Sequence, residues 1–139
     1  MLFLACCHTI IIDQKTKKYN SSSPDELALV NAAKQFGYEF KERDGNNNVT
    51  IYDKKQNQSY IYHLLNVCEF TSSRKRMSVI YRDPWNRIIL MCKGADSVIT
   101  ENLIEWSRQS SLFVRTEQYV NAYAAEGLRT LYLAEKFLT

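Results

Sequence analysis

The sequence has few of the residues that mark specialised classes of protein. Among its 139 residues are four cysteines, two histidines, four glycines and two prolines, and the formal net charge is only +3. The cysteines form no Cys-x-x-Cys pair and have no histidine at zinc spacing, which favours reduced, buried thiols over a metal site. Because basic residues are mixed with acidic ones, charge alone indicates neither a nucleic-acid-binding protein nor a membrane-surface protein.

Long apolar runs are also absent. The longest, Met1 to Cys7, is far shorter than the ~20 residues that cross a bilayer, so no membrane-spanning segment is predicted. With 45% hydrophobic and 24% charged residues, the chain has the balance of one globular domain that buries a core. Apolar residues at both ends of the sequence lead us to expect that this single domain, residues 1–139, is excised from a larger protein.

Helix signals are clear at three places. Ser23-Pro24-Asp25-Glu26 predicts a helix start, with Ser23 as the N-cap, Pro24 at the first helical position and Glu26 closing a capping box. Gly37 supplies the stop for this helix. A short helix is predicted from Ala95 to about Trp106, and a longer one from Leu112 to Glu126.

Between the helices the apolar residues alternate with period two, which predicts strands. These strands are Tyr38 to Arg43, Val49 to Asp53, Ser59 to Phe70, Lys75 to Arg82, Arg87 to Lys93 and Leu128 to Lys136. Short polar links join most of them and favour antiparallel hairpins, because parallel neighbours need crossovers of a dozen or more residues. The predicted fold class is α+β, with a twisted antiparallel sheet of about six strands flanked by helices.

A cluster of cations is predicted at the open end of one hairpin. If Asp83-Pro84-Trp85-Asn86 closes the turn, counting back pairs Arg76 with Lys93. Such a cluster is unfavourable unless solvent or an anion separates the charges. Next to these cations stand Phe70 and Met77. An apolar slot for a base beside cations for phosphates suits a nucleotide. The complete cationic set is Arg74, Lys75, Arg76 and Lys93.

Several segments closely resemble motifs of the nucleotide-binding (N) domain of P-type ATPases. They are Phe70-Thr71-Ser72-Ser73-Arg74-Lys75-Arg76-Met77-Ser78-Val79, Cys92-Lys93-Gly94-Ala95-Asp96 and Glu126-Gly127-Leu128-Arg129-Thr130. Ser23-Pro24-Asp25-Glu26 and Cys7-His8-Thr9 look like the type IV branch, the phospholipid flippases. The resemblance covers nearly the whole chain, with the motifs in family order. It implies the N-domain architecture for the fold.

The resemblance also implies a role for individual residues. Phe70 would stack on adenine, Lys93 would line the adenine pocket, and Glu26 would help to hold the adenine side. Arg129 would reach the phosphates. A glycine at 94 fits a wall where the backbone comes close to the base. Residues that match positions bordering the pocket in the family are Ser72, Lys75 and Met77.

No catalytic or metal-ligating residue is expected in this chain. The sequence has neither a P-loop nor the Asp-Lys-Thr-Gly-Thr phosphorylation motif of the family. The resemblance therefore implies that this domain binds ATP and presents its terminal phosphate to an aspartate in a neighbouring domain, with Mg²⁺ required only in the full-length enzyme.

The implied setting is a cytosolic domain of an integral membrane ATPase that moves phospholipid. Its partners would be the phosphorylation and actuator domains of the same polypeptide, the phospholipid substrate at transmembrane helices, and a possible accessory subunit. No nucleic acid is expected as a partner.

Each candidate residue also has an ordinary explanation. Glu26 suits a helix cap, Phe70 a core aromatic, and Lys93 a solvated edge lysine. Arg129 suits the last carbonyl groups of the preceding helix. Two other functions therefore stay open: the N domain of a P-type cation pump, and a non-catalytic module whose basic hairpin contacts a protein or RNA.

Overall fold

The computed structural model describes residues 1–138 and contains helices packed on an antiparallel sheet. The elements in chain order are α1 (Leu2–Cys6), β1 (Ile11–Ile12), β2 (Tyr19–Asn20), α2 (Pro24–Gln35), β3 (Tyr38–Arg43), β4 (Asn48–Asp53), β5 (Gln58–Cys68), β6 (Arg76–Arg82), β7 (Ile88–Gly94), α3 (Asp96–Asn102), α4 (Glu105–Arg108), α5 (Ser111–Ala125) and β8 (Tyr132–Leu138).

The sheet has six strands in the order β3-β4-β5-β6-β7-β8, and every neighbouring pair is antiparallel. Strands β1 and β2 form a separate two-stranded ribbon. The predicted α+β fold with an antiparallel sheet of about six strands is confirmed. No helix within residues 1–138 has the length and apolar character that crossing a membrane requires.

The predicted strand limits differ from the structure mostly by one or two residues, and two of the differences bear on the candidate site. β5 ends at Cys68 and leaves Phe70 in the following loop, because the Arg74 guanidinium binds backbone carbonyl groups that a longer strand would use. β8 begins at Tyr132 rather than at Leu128. Residues 128–131 instead connect the end of α5 to the sheet.

The helix signals are largely confirmed. The Ser23 hydroxyl oxygen accepts a hydrogen bond from the Glu26 amide at 3.3 Å, and Gly37 has φ +99° just past the end of α2. The helix predicted from Ala95 to Trp106 is divided into α3 and α4, because Leu103 and Ile104 have extended backbone angles. The sequence pattern did not predict α1, whose five residues are too few to show a helical period.

The register of the β6–β7 hairpin differs from the prediction by one residue. Arg76 lies opposite Gly94, whereas Lys93 lies opposite Met77. At the turn, the Asp83 amide donates to the Arg87 carbonyl and the Asn86 amide to the Asp83 carbonyl, with Asn86 at φ +64°. This geometry places an additional residue in the loop, as in a bulged hairpin turn. A shift of one residue moves each side chain to the other face of the sheet.

The hydrophobic core lies between one face of the sheet and helices α1 and α2. Tyr81 is fully buried there, and its hydroxyl group donates to the Cys6 carbonyl at 2.9 Å. The Cys7 thiol donates to the Met91 carbonyl at 3.8 Å. These contacts fix the N-terminal segment on strands β6 and β7. Central core residues include Val30, Ala33, Phe40, Val49, Ile51, Met77, Val79, Tyr81, Ile89 and Met91.

Candidate functional site

Two of the predicted site residues are held by the same short segment, Cys7–Thr9, which we call the strap. The Lys93 ammonium donates a hydrogen bond to the Cys7 carbonyl oxygen at 2.6 Å. The Glu26 carboxylate accepts hydrogen bonds from the Thr9 amide and from the Thr9 hydroxyl group, the latter at 3.2 Å. The strap therefore brings an ammonium from β7 and a carboxylate from α2 to one place.

A buried histidine fixes the strap from behind. The amide of Ile10 donates to His8 Nδ1 at 3.0 Å, so we assign the ring proton to Nε2, which bonds to the Ala5 carbonyl at 2.9 Å. Arg43 donates to the His8 carbonyl at 3.2 Å. The His8 ring packs edge-on against the Phe40 ring, with 4.5 Å between the ring centroids. Burial lowers the pKa of His8 to about 3, so the ring is neutral at physiological pH.

Lys93 is the buried cation of the site. Its side chain faces the core side of the sheet, opposite Met77, and the residue is only 9% exposed. An ammonium has three donors, and the Cys7 carbonyl takes one of them. Because burying a charge is costly without further hydrogen bonds, Lys93 is well suited to accept an additional ligand. The interpretation as a solvated edge lysine is therefore wrong.

Glu26 occupies the first turn of α2 and is half-buried. Its amide donates to the Ser23 hydroxyl oxygen, which is one half of the predicted capping box. The carboxylate does not complete the box, because it turns to Thr9 on the strap. A carboxylate has several acceptor sites, so Glu26 keeps the capacity to accept from a ligand.

An ion pair links Arg129 to the first turn of α2. Arg129 Nη1 lies 2.9 Å from each carboxylate oxygen of Asp25, the residue that precedes Glu26 in α2. This contact joins the loop between α5 and β8 to the start of α2. The guanidinium thus binds Asp25 rather than the last carbonyl groups of α5, which was the ordinary explanation for Arg129.

Phe70 lies in the loop 69–75, between β5 and β6. The Arg74 guanidinium shapes this loop by donating to the carbonyl groups of Cys68 at 3.0 Å and Glu69 at 2.8 Å. Phe70 is 62% exposed and belongs to no core cluster, so the interpretation as a core aromatic is wrong. An exposed aromatic ring is therefore presented at the end of the sheet where β6 begins and β7 ends.

Gly94 is required by the protein's own backbone. A Cβ atom at this position would lie 2.5 Å from the Lys75 carbonyl oxygen and 2.7 Å from Arg76 Cβ. Lys75 has φ +53°, and its carbonyl group accepts a hydrogen bond from the Ala95 amide at 3.1 Å. The observed reason for the glycine is thus the close approach of two chain segments.

The predicted cluster of facing cations is not formed. The guanidinium of Arg74 is bound to loop carbonyl groups. Arg76 and Lys93 lie on opposite faces of the sheet because of the register shift. Ser72 and Lys75 are exposed in the loop 69–75, whereas Met77 is buried in the core beside Lys93. Arg74 and Arg76 nevertheless stay adjacent, because each guanidinium donates to the backbone carbonyl of the other residue, at 3.2 and 3.0 Å.

Sequence reasoning did not assign a role to two parts of this arrangement. The sequence marks the strap only as a family-like segment, and Asp25 only as part of a helix start. Their contacts join Lys93 to Cys7 and Arg129 to Asp25, which are far apart in the sequence. The acidic first turn of α2 was the one local signal, and it did not identify Arg129 as the partner of Asp25.

The candidate residues Glu26, Phe70, Lys93 and Arg129 line none of the cavities that we describe within residues 1–138. Two of these cavities lie between the sheet and α3–α5, with volumes of about 290 and 480 Å³. The site itself combines an exposed aromatic ring, a buried ammonium, a carboxylate and a guanidinium. Groups of these kinds can stack on a base, form hydrogen bonds to its edge and contact phosphates.

A protein-family model described as "P-type ATPase, cytoplasmic domain N" matches residues 1–139. The chain belongs to this family. The resemblance of the motifs to the N domain is thereby confirmed.

Relatives of this N domain are named as phospholipid-transporting ATPases. It is 44% identical over 137 residues to phospholipid-transporting ATPase DRS2 of Saccharomyces cerevisiae, which covers 96% of this chain and 10% of that protein. It is 44% identical over 145 residues to probable phospholipid-transporting ATPase 12 of Arabidopsis thaliana, and the match covers 97% of this chain and 12% of that protein. It is 41% identical over 138 residues to human phospholipid-transporting ATPase ID, and the match covers 97% of this chain and 11% of that protein. The N domain thus spans about a tenth of the length of these relatives.

Proposed function

We propose that this N domain binds ATP at the surface formed by the strap and the loop 69–75. The observation that supports this proposal best is the strap, which holds Lys93 and Glu26 at one place. In the proposed complex Phe70 stacks on adenine, while Lys93 and Glu26 bind the edge of the base. Arg129 contributes a guanidinium for the phosphates. Ser72, Lys75, Met77 and Gly94 form the border of the pocket.

The chemistry of these groups suits an adenine nucleotide. Stacking of a base on an aromatic side chain contributes about 1–3 kcal/mol, and an exposed ring such as Phe70 offers a face for it. A carboxylate accepts hydrogen bonds and an ammonium donates them, so Glu26 and Lys93 together match a base edge that carries both a donor and acceptors.

We further propose that the whole protein is a phospholipid-translocating P-type ATPase, with this chain as a cytosolic domain excised from the membrane enzyme. Support comes from the names of the relatives and from the N-domain family. In this proposal the N domain presents the terminal phosphate of bound ATP to an aspartate of a phosphorylation domain. The partners would be that domain, an actuator domain, the phospholipid at transmembrane helices and an accessory subunit.

Magnesium belongs to the full-length enzyme in this proposal. Within residues 1–138, no three side chains among His, Cys, Asp and Glu are grouped so that they could hold a metal ion. Mg²⁺ requires several oxygen ligands in octahedral geometry and commonly takes some of them from substrate phosphates. We propose that its ligands come from the nucleotide and from the phosphorylation domain.

Replacement of Phe70 tests the base site. We expect Phe70→Ala to weaken ATP binding about fivefold or more, because the loss of stacking costs about 1–3 kcal/mol. Stability should change little, since the ring is 62% exposed. The measurement is a titration of the labelled N domain with ATP, followed by two-dimensional NMR, with urea unfolding of each variant.

Phe36→Ala is the matched control, because Phe36 is a similarly exposed phenylalanine, at 68%, and lies at the other end of α2. It should leave ATP binding unchanged. Amides near Phe70, Lys93 and Glu26 should shift in the wild type. The proposal is wrong if millimolar ATP shifts none of them, or if both phenylalanine variants bind ATP equally well.

A further inference from the structure

The ion pair between Asp25 and Arg129 lies beside the proposed base site and outside the contacts that build it. One nitrogen, Arg129 Nη1, is shared by both carboxylate oxygens, at 2.9 Å from each. The two side chains are 84% and 52% exposed, for arginine and aspartate respectively. An ion pair with this exposure is weak and reversible, because water solvates both partners when they separate.

We propose that Asp25 is a competing counter-ion that holds Arg129 until the phosphates of a nucleotide replace it. This inference rests on the proposed binding of ATP. A guanidinium binds a carboxylate and a phosphate through the same planar set of N–H donors. The two anions therefore compete for Arg129, and Asp25 lowers the affinity for nucleotides whose phosphates engage this guanidinium.

The sign of the effect follows from the contacts. Arg129 gives up its bonds to Asp25 when it turns to a phosphate. The free energy of this ion pair therefore reduces the favourable free energy of nucleotide binding. Exposed pairs of this kind correspond to a factor of about 1.4 to 5 in an equilibrium constant. A nucleoside without phosphates does not engage Arg129 and should be indifferent to Asp25.

The experiment compares Asp25→Asn with the wild type. The amide has the shape of the carboxylate and is itself compatible with the first turn of a helix, so the fold is retained. Dissociation constants are measured by calorimetry or NMR titration for ATP, ADP, AMP and adenosine at one salt concentration. We expect binding of ATP to become about two- to fivefold tighter, with a smaller gain for AMP and no change for adenosine.

Two further variants separate this mechanism from a general effect of charge. In an Arg129→Gln background most of the gain from Asp25→Asn should disappear, because there is no guanidinium left to release. Glu42→Gln removes one exposed carboxylate from β3, at the far edge of the sheet, and should leave the affinity for ATP unchanged. A gain that persists fully without Arg129, or that Glu42→Gln reproduces, overturns the proposal.

The remaining outcomes are also decisive. Weaker or unchanged binding of ATP by Asp25→Asn overturns the role of Asp25 as a competitor, since a residue that pre-orients Arg129 for phosphate would give weaker binding. If ATP binding is sensitive to Phe70 while Asp25→Asn has no effect, this inference fails and the proposed function stands. If the wild type binds no ATP, both fail.

Discussion

Adjacent residues on β7 have opposite requirements. Lys93 directs its side chain to the core side of the sheet, where the ammonium binds the Cys7 carbonyl oxygen. Gly94, one position on, lies so close to Lys75 and Arg76 that no side chain fits. The Lys-Gly pair in the sequence therefore combines a buried donor with a close contact between two backbone segments. Neither requirement depends on a bound nucleotide.

Substitution of Gly94 by alanine tests the close contact. We expect Gly94→Ala to lower the free energy of unfolding by about 1–3 kcal/mol, because the added Cβ overlaps backbone atoms at Lys75 and displaces the chain there. Urea unfolding provides the measurement.

Gly45→Ala is the control for this substitution. A Cβ atom at Gly45 has no heavy atom within 4 Å, and the change should alter stability by less than about 0.5 kcal/mol. Equal stability of the two alanine variants would show that the chain at Lys75 moves aside without cost.

At the scale of elements, the turn between β6 and β7 decides which side chains reach the site. Asn86 adopts φ +64° and its amide bonds to the Asp83 carbonyl at 3.0 Å. Asp83 is nearly buried, and its carboxylate accepts from the amides of Trp85 and Arg87. The resulting loop sets the register that places Lys93 opposite Met77.

Asn86 is therefore a suitable position at which to test the turn. We expect Asn86→Val to cost about 1–2 kcal/mol of stability, because a β-branched residue is strained at positive φ. Asn86→Gly should be tolerated, since glycine adopts this conformation readily. Urea unfolding measures the cost, and cross-strand NOEs between Met77 and Lys93 report the register. An Asn86→Val variant as stable as Asn86→Gly would contradict the argument.

At the scale of the whole molecule, the two faces of the sheet are packed unequally. The face towards α1 and α2 carries the continuous hydrophobic core and the strap. The face towards α3, α4 and α5 is more open, and neither α4 nor α5 has a buried residue. Lys93 and Glu26 lie on the well-packed side, where the strap binds their ammonium and carboxylate groups.

The buried histidine links this packing to pH. The pKa of His8 is about 3 in the folded protein, against an ordinary value of 6.5, because burial disfavours the charged ring. Between these values the unfolded chain binds a proton that the folded chain does not. The contribution of neutral His8 to stability is therefore complete above pH 6.5 and is lost progressively as the pH falls towards 3.

We expect the free energy of unfolding to fall by about 2 kcal/mol between pH 7.5 and pH 5 through His8 alone. Urea unfolding at the two pH values measures the change. The His8→Asn variant is less stable at pH 7.5, because it loses the ring contacts, but its stability should depend less on pH. A variant with the same pH dependence as the wild type would exclude His8 as the cause.

Much of the fold was accessible from local sequence. Ser23 and Pro24 predicted the start of α2, Gly37 its end, and alternating residues the strands, because caps, turns and pleats depend on near neighbours. The register at Asn86 was not predicted, since a bulged turn and a tight one use similar residues. The predicted register placed Lys93 on the same face of the sheet as Arg76. The expected cation cluster followed from that placement.

The sequence by itself determined the family, the antiparallel sheet and the identity of the candidate residues, because motifs and periodicity are local properties of the chain. Only the tertiary structure decided how those residues are arranged. Lys93 and Glu26 form hydrogen bonds to the strap, and Arg129 forms hydrogen bonds to Asp25. These contacts join distant segments, and no spacing along the chain encodes them. Their geometry follows from packing of α1 and α2 against the sheet, which is a property of the folded molecule.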